Sequence, residues 1–155
     1  MYRNICLIGL PHSGKNELGI KLYKHLNKGF MNTNDIIRSK YKSDIPYLIT
    51  TKGRSKYLEI ESDVIKSLQI NNMVISTGST IVYNSESMKH LKEDLDSDMY
   101  HLFLSKKEFI NKLTNKEKRG IVMNGTQLIP HNVIYDESIH LYDKYADKKI
   151  VSSDT

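Results

Sequence analysis

At 155 residues the chain is sized for one domain with a sizeable core and has no room for two. A hydrophobic share of 39% excludes a disordered chain, and no apolar run is long enough to cross a bilayer. The net charge of +5 rests on 19 lysines (23 basic residues less four arginines) spread along the sequence without interleaved aromatics, so solvated helix faces, not a nucleic-acid interface, are expected.

The first apolar strand is expected at Asn4–Gly9, too early in the chain for a cleaved leader to precede it. It contains the single cysteine, Cys6, which is read as a buried, inert thiol of a cytoplasmic protein. The strand runs into Gly9-Leu-Pro11-His12-Ser13-Gly14-Lys15-Asn16 and then a helical pattern over Lys15–Leu26. Gly-x-x-x-x-Gly-Lys between a strand and a helix is the phosphate-loop arrangement. Its glycines let backbone N–H groups curl around phosphate oxygens, the helix N-terminus adds its dipole, and Lys15 neutralises the outer phosphates. Pro11, His12, Ser13, Gly14, Lys15 and Asn16 are therefore the expected nucleotide contacts. The motif normally ends in Ser or Thr, whose hydroxyl binds Mg²⁺, and this chain has Asn16 instead.

Further strands are expected at Gly29–Asn32, Met73–Thr77, Met99–Leu104 and Lys149–Ser152. Helical patterns fill the intervals: Asp35–Lys42, roughly Tyr57–Leu68, Ser85–Leu95, Glu108–Leu113 and Ile134–Tyr145. Short apolar strands alternating with helices predict a parallel α/β sheet covered on both faces, with ligands at the strands' carboxyl ends, where Gly9, Asn32 and Gly78 fall. The polar stretch Ser105–Pro130 reads either as a lid that closes on a nucleotide or as a solvated helix and loop. Only Arg3, Arg38, Arg54 and Arg119 are available to grip phosphates or carboxylates with a planar fork. The ten tyrosines are expected to pack at half-buried sites.

Six landmarks in one order give the chain a resemblance to the shikimate kinase family, from Asn4 to Asp154. They are the loop Gly9–Lys15; Phe30-Met-Asn32-Thr-Asn34-Asp-Ile-Ile37; Gly53-Arg54-Ser-Lys-Tyr57-Leu58-Glu-Ile-Glu61; Val74-Ile-Ser-Thr-Gly78-Ser79-Thr80; Lys118-Arg119-Gly-Ile-Val; and Leu141-Tyr-Asp-Lys-Tyr-Ala-Asp147. The resemblance implies a three-layer P-loop kinase fold with a five-stranded parallel sheet and a lid at about 105–130. The sequence stops just after the fifth expected strand, without the helix that usually ends that family, and one flank of the sheet is then expected to be either exposed or covered by an oligomer or partner. It also implies ATP with Mg²⁺ as cofactor, a small hydroxylated metabolite as partner, and Lys15 and Arg119 as the catalytic cations.

The departures fall where the chemistry should be. The family's two Asp residues after the second strand, one for Mg²⁺ and one for the reacting hydroxyl, align with the amides Asn32 and Asn34, so metal would rest on Asn16 and Asn32 alone. The arginines that clasp the shikimate carboxylate align with Leu58 and Ser138. A Gly-Gly-Gly segment has become Gly78-Ser79-Thr80, which with Asn34 and Arg54 completes the expected substrate set. Arg54 lies four residues before Leu58, on the same face if the segment is helical, so its fork either reaches toward the same pocket or, beside the turn at Gly53, faces solvent. Two readings follow: a degenerate member that keeps a nucleotide site but is impaired in shikimate phosphorylation, or a working kinase for shikimate or another small hydroxylated metabolite.

Overall fold

The strand β1 (Asn4–Ile8) is apolar on both sides of its pleat, which suits only a position with both faces covered. In the computed structural model, which describes residues 3–115, 117, 121–123 and 127–151, β1 is the middle strand of a five-stranded parallel sheet. Its neighbours are β3 (Met73–Ser76), with β2 (Gly29–Asn32) beyond it, and β4 (Ser97–Phe103) on the other side. A last parallel strand, Lys148–Val151, pairs with β4 at the far edge. Cys6 sits in register with Ile75 and Met99, so the thiol lies at the centre of the sheet, and burial pushes its pKa up.

Alternate residues of β1 feed different cores. Leu7 joins Val74 and Leu102 beneath α1 (Lys15–Leu26), whose Leu18, Leu22 and Tyr23 pack on them with Phe30. Cys6 and Ile8 join Ile75 and Met99 on the opposite face. That face is covered by α4 (Arg54–Lys66), α5 (Ser85–Lys89), α6 (Lys106–Lys112) and α7 (His131–Tyr145), through Ile65, Met88, Phe109 and Tyr142. A third cluster ties α2 (Thr33–Tyr41) and α3 (Ile45–Lys52) to α4, with Ile37, Leu48, Ile49, Tyr57, Ile60 and Val64 buried together. The result is the expected three-layer α/β fold.

The structure extends the sequence reading in four places. α2 starts at Thr33, before the expected Asp35, because Asn32 caps it: its side chain accepts from the N–H groups of Asn34 and Asp35. α3 was not expected; Asp44 caps it by accepting from Tyr47 N at 2.8 Å, and Pro46 sits in its first turn, where a missing N–H costs nothing. The helix expected over Ser85–Leu95 is α5 followed by a π-helical turn, His90–Asp94, closed by Leu95 N donating to His90 O at 2.8 Å. Within 105–130, β5 (Ile121–Met123) and β6 (Gln127–Ile129) form an antiparallel pair with Val122 opposite Leu128. The last strand of the sheet is accordingly β7.

The amino-terminal edge of the sheet is sewn by one amide. Asn4, fully buried, donates through Nδ2 to Leu95 O (2.7 Å) and Ile70 O (3.3 Å) and accepts from Met73 N (3.0 Å). Asn4→Ala leaves those backbone groups unpaired in a dry setting, so a loss of about 2–4 kcal/mol is expected in urea unfolding.

Candidate functional site

β1 ends at Ile8, and the chain turns through residues 9–14 directly into α1. Gly9 has no room for a side chain: a β-carbon there would stand 2.7 Å from the Leu102 carbonyl oxygen. His12 (φ 67°) and Gly14 (φ 92°) are both left-handed, the pattern that turns successive N–H groups into a concave anion nest. No side chain caps the N-terminus of α1, so its first-turn donors remain available to an anion. Lys15 folds back across the loop, donating to Gly9 O (2.7 Å) and Leu10 O (2.9 Å). Burial without a carboxylate bonded to it lowers the Lys15 pKa to about 7. All six loop residues expected from the motif, Pro11 through Asn16, line one open hollow of ≈ 340 Å³ with Asn32, Asn34 and residues 76–79.

The metal corner of this hollow is built of amides. Asn16 Oδ1 accepts from Asn32 Nδ2 (2.8 Å) and from Ser76 Oγ (2.7 Å), so both its lone pairs are engaged. Asn32 Oδ1 is the helix cap of α2. Among the described residues no three His, Cys, Asp or Glu side chains come together as metal ligands. Mg²⁺ favours carboxylates and its own waters, and two neutral, already bonded amides do not fit it as a protein-held ion.

A narrower cavity of ≈ 90 Å³ adjoins the loop hollow and shares Pro11, Asn34, Gly78 and Ser79 with it. Its other walls are Tyr57, Thr80, Tyr83, Ser138 and Tyr142, with Ile45, Ile49 and Ile134 as apolar lining. A β-carbon at Gly78 would meet Asn34 Oδ1 at 2.5 Å, so the glycine lets the two elements touch. Tyr142 donates to Ser79 O (2.7 Å) and fixes the mouth. Behind Thr80, the buried Glu61 accepts the threonine hydroxyl through both oxygens, at 3.0 and 2.9 Å. Desolvation raises the Glu61 pKa to about 8, and the Thr80 bond offsets only part of that. Among the described residues lining this cavity, none is charged.

Of the residues expected in the substrate set, Asn34, Gly78, Ser79 and Thr80 converge here, and Arg54 does not line the cavity. The Arg54 guanidinium stacks 4.5 Å from the Tyr83 ring centroid and pairs with Glu137 of α7 at 3.5 Å. Leu58 packs with the α2–α3–α4 cluster, and Ser138 Oγ donates to Ile134 O within its own helix (2.7 Å). Arg119 lies outside the described residues. His12, expected at the loop, bonds through Nε2 to Glu117 Oε2 (2.9 Å) in the segment after α6, while Lys112 Nζ donates to His12 O (3.4 Å). That contact places a carboxylate beside the phosphate nest.

Sequence reasoning assigned no site role to Tyr57, Tyr83, Tyr142 or Glu61. Tyr57 and Glu61 stand inside a quoted motif, which was the available signal; the Glu61–Thr80 pairing joins residues 19 apart and exists only in the fold.

Two titrations follow. The folded state holds a proton on Glu61 that the unfolded chain gives up above 4.5, so between there and about pH 8 stability falls as pH rises. Glu61→Gln flattens this limb: in urea melts, its stability relative to the parent should improve by about 2–3 kcal/mol from about pH 5.5 to about pH 7.5. Lys15, near 7 in the free loop, regains its proton against a bound triphosphate, so affinity should be flat below pH 7 and fall above it. Fluorescent-nucleotide titrations should show a loss approaching about tenfold per pH unit, absent in Lys15→Ala.

The fold has counterparts among known proteins. Solved shikimate kinases superpose closely: that of Acinetobacter baumannii in complex with shikimate has a TM-score of 0.79 at 21% identity, covering 97% of this chain and 83% of that one. The Aquifex aeolicus shikimate kinase gives a TM-score of 0.74 at 24% identity, over 96% and 85% of the two chains. In sequence, the chain is similar to the shikimate kinase of Prochlorococcus marinus, 30% identical over 142 residues (90% of this chain, 70% of the relative). It is also 28% identical over 127 residues to that of Caldicellulosiruptor bescii, covering 81% and 73% of the two chains. The family model described as shikimate kinase matches residues 11–155, nearly the whole sequence, and the chain therefore belongs to the shikimate kinase family.

Proposed function

We propose that the protein binds a nucleoside triphosphate through residues 9–16 and is impaired or inactive in phosphorylating shikimate. The observation that carries this reading is the uncharged lining of the cavity beside the loop, where the family resemblance implies two arginine forks. Leu58 is committed to an apolar cluster and Ser138 to its own helix, and neither side chain is a cation. Each charge-assisted hydrogen bond contributes about 1.5–3 kcal/mol, so two lost forks weaken carboxylate binding by about a hundredfold or more. Arg54 does not supply the deficit while it stays stacked on Tyr83 and paired to Glu137.

The nucleotide half is better equipped. The loop supplies the nest, the helix N-terminus and Lys15, and we assign Arg119 as a second cation for the phosphates. Beyond His12 a hollow of ≈ 410 Å³, with Leu18, Leu102 and Ile150 as apolar floor and Lys21 and Lys112 at its rim, has room for the nucleoside. Glu117 must leave His12 as the phosphates enter, because a carboxylate there repels them. Shikimate kinases use ATP with Mg²⁺; here the ion would be held by phosphates and water, with no carboxylate of the Asn16–Asn32 corner to fix it. Phosphoryl transfer depends on positioning and charge neutralisation, so a loosely held ion compounds the loss of the forks. A cytoplasmic setting fits this reading, and among the described residues no helix is long and apolar enough to cross a membrane.

The test is ADP release from Mg-ATP with and without millimolar shikimate, beside a nucleotide-binding titration on the same folded sample. Saturable nucleotide binding without shikimate-dependent ADP release is expected. Shikimate-dependent release that disappears in Lys15→Ala overturns the reading.

A further inference from the structure

The free loop already holds an anion of its own. His12 is tied twice, to the last residue of α6 and to the segment beyond it. Its ring Nε2 bonds both oxygens of Glu117, at 3.0 and 2.9 Å, and its carbonyl accepts from Lys112 Nζ at 3.4 Å. Glu117 is fixed in turn. Its carboxylate accepts from Thr114 N (2.9 Å) and its own N–H donates to Thr114 Oγ1 (3.1 Å), the reciprocal pair of a capping box.

The position of this contact gives it a consequence. His12 lines both the phosphate hollow and the larger hollow beyond it, together with Ser13, Gly14 and Glu17. A nucleotide laid across both hollows passes this shared wall. Desolvation pulls the Glu117 pKa up, yet the bonds from Thr114 and His12 outweigh it and hold it below the ordinary glutamate range. The group on the wall is therefore a carboxylate anion, and a phosphate brought within a few ångströms of it is repelled. The same ties hold His12 in the left-handed conformation (φ 67°) that the nest needs. The loop is thus kept in shape for an anion while the approach to it is closed.

We propose that Glu117 is an autoinhibitory latch, which in the free protein closes the approach to the phosphate loop and must be displaced before a polyphosphate binds. The inference rests on the reading that residues 9–16 bind a nucleotide, and it adds a control on that site. The latch is weak by construction. The His12 and Glu117 side chains are 36% and 33% exposed, so water screens their attraction. Pairs of this kind hold the closed form over the open one by about three- to fivefold. Apparent affinity is reduced by the open fraction, and every ligand of the loop meets the same reduction.

The test uses the full chain, with a fluorescent ATP analogue titrated directly and inorganic tripolyphosphate as its competitor. Glu117→Gln should tighten both by about four- to sixfold. Glu117→Asp keeps the charge but is one methylene too short to reach His12, and should tighten both by about threefold or more. Repulsion without a latch gives a different result, because Glu117→Asp would then bind like the parent. His12→Asn keeps a residue that tolerates the left-handed conformation but removes the ring, and in that background Glu117→Gln should change affinity by less than about 1.5-fold. A Glu117→Gln variant no tighter than the parent, a Glu117→Asp variant that binds like the parent, or a full gain that survives in His12→Asn each overturns the latch. ATP-analogue binding by the parent in those cases leaves the proposed function standing. Failure of both probes to bind the parent and every variant, each shown by circular dichroism to be folded, overturns both.

Discussion

Gly9 is where the molecule has no freedom. Its missing side chain lets the turn after β1 lie against the Leu102 carbonyl, so the loop rests on the carboxyl edge of the sheet instead of arching above it. From that seat the left-handed residues at 12 and 14 follow, and α1 begins with its donors aimed over the edge. Because β1 is the central strand, with β3 on one side and β4 on the other, the nest falls at the crevice where such sheets bind ligands. Every other feature of the cleft is placed relative to that contact.

Around this seat the cleft is held together by neutral hydrogen bonds. Asn32 caps α2 as well as an aspartate would, since the cap needs an acceptor oxygen and not a charge. Its other atom reaches Asn16, and Ser76 closes the group, so the corner stays ordered by bonds within the protein. Leu58 packs in an apolar cluster, and Glu61 accepts from the Thr80 hydroxyl. Each of these groups is locally satisfied. On the proposed reading, what the cleft lacks is the field that a metal ion and a carboxylate substrate both require.

The layers and the loop were legible because periodicity and a strand–loop–helix motif are local. Alternating burial in β1 and the helical spacing of α1 could be read without knowing what they face. α3 was hidden because it is short and its Pro46 reads as punctuation, although Asp44 before it is a capping signal. The strands β5 and β6 are three residues each, below the length at which alternation can be counted. The cavity was the least legible part. Tyrosine is an ordinary packing residue in sequence, and only the fold turns Tyr57, Tyr83 and Tyr142, from three separate segments, toward one space.

The two halves of the cleft differ in charge, and ionic strength bears on only one of them. Attraction between a polyanion and the loop's cationic groups is carried by charges near the surface, which dissolved ions screen within about 8 Å at physiological strength. The cavity lining carries no charged side chain for ions to screen. If a nucleotide binds as proposed, added salt loosens its hold on the loop and leaves the uncharged cavity lining unaffected.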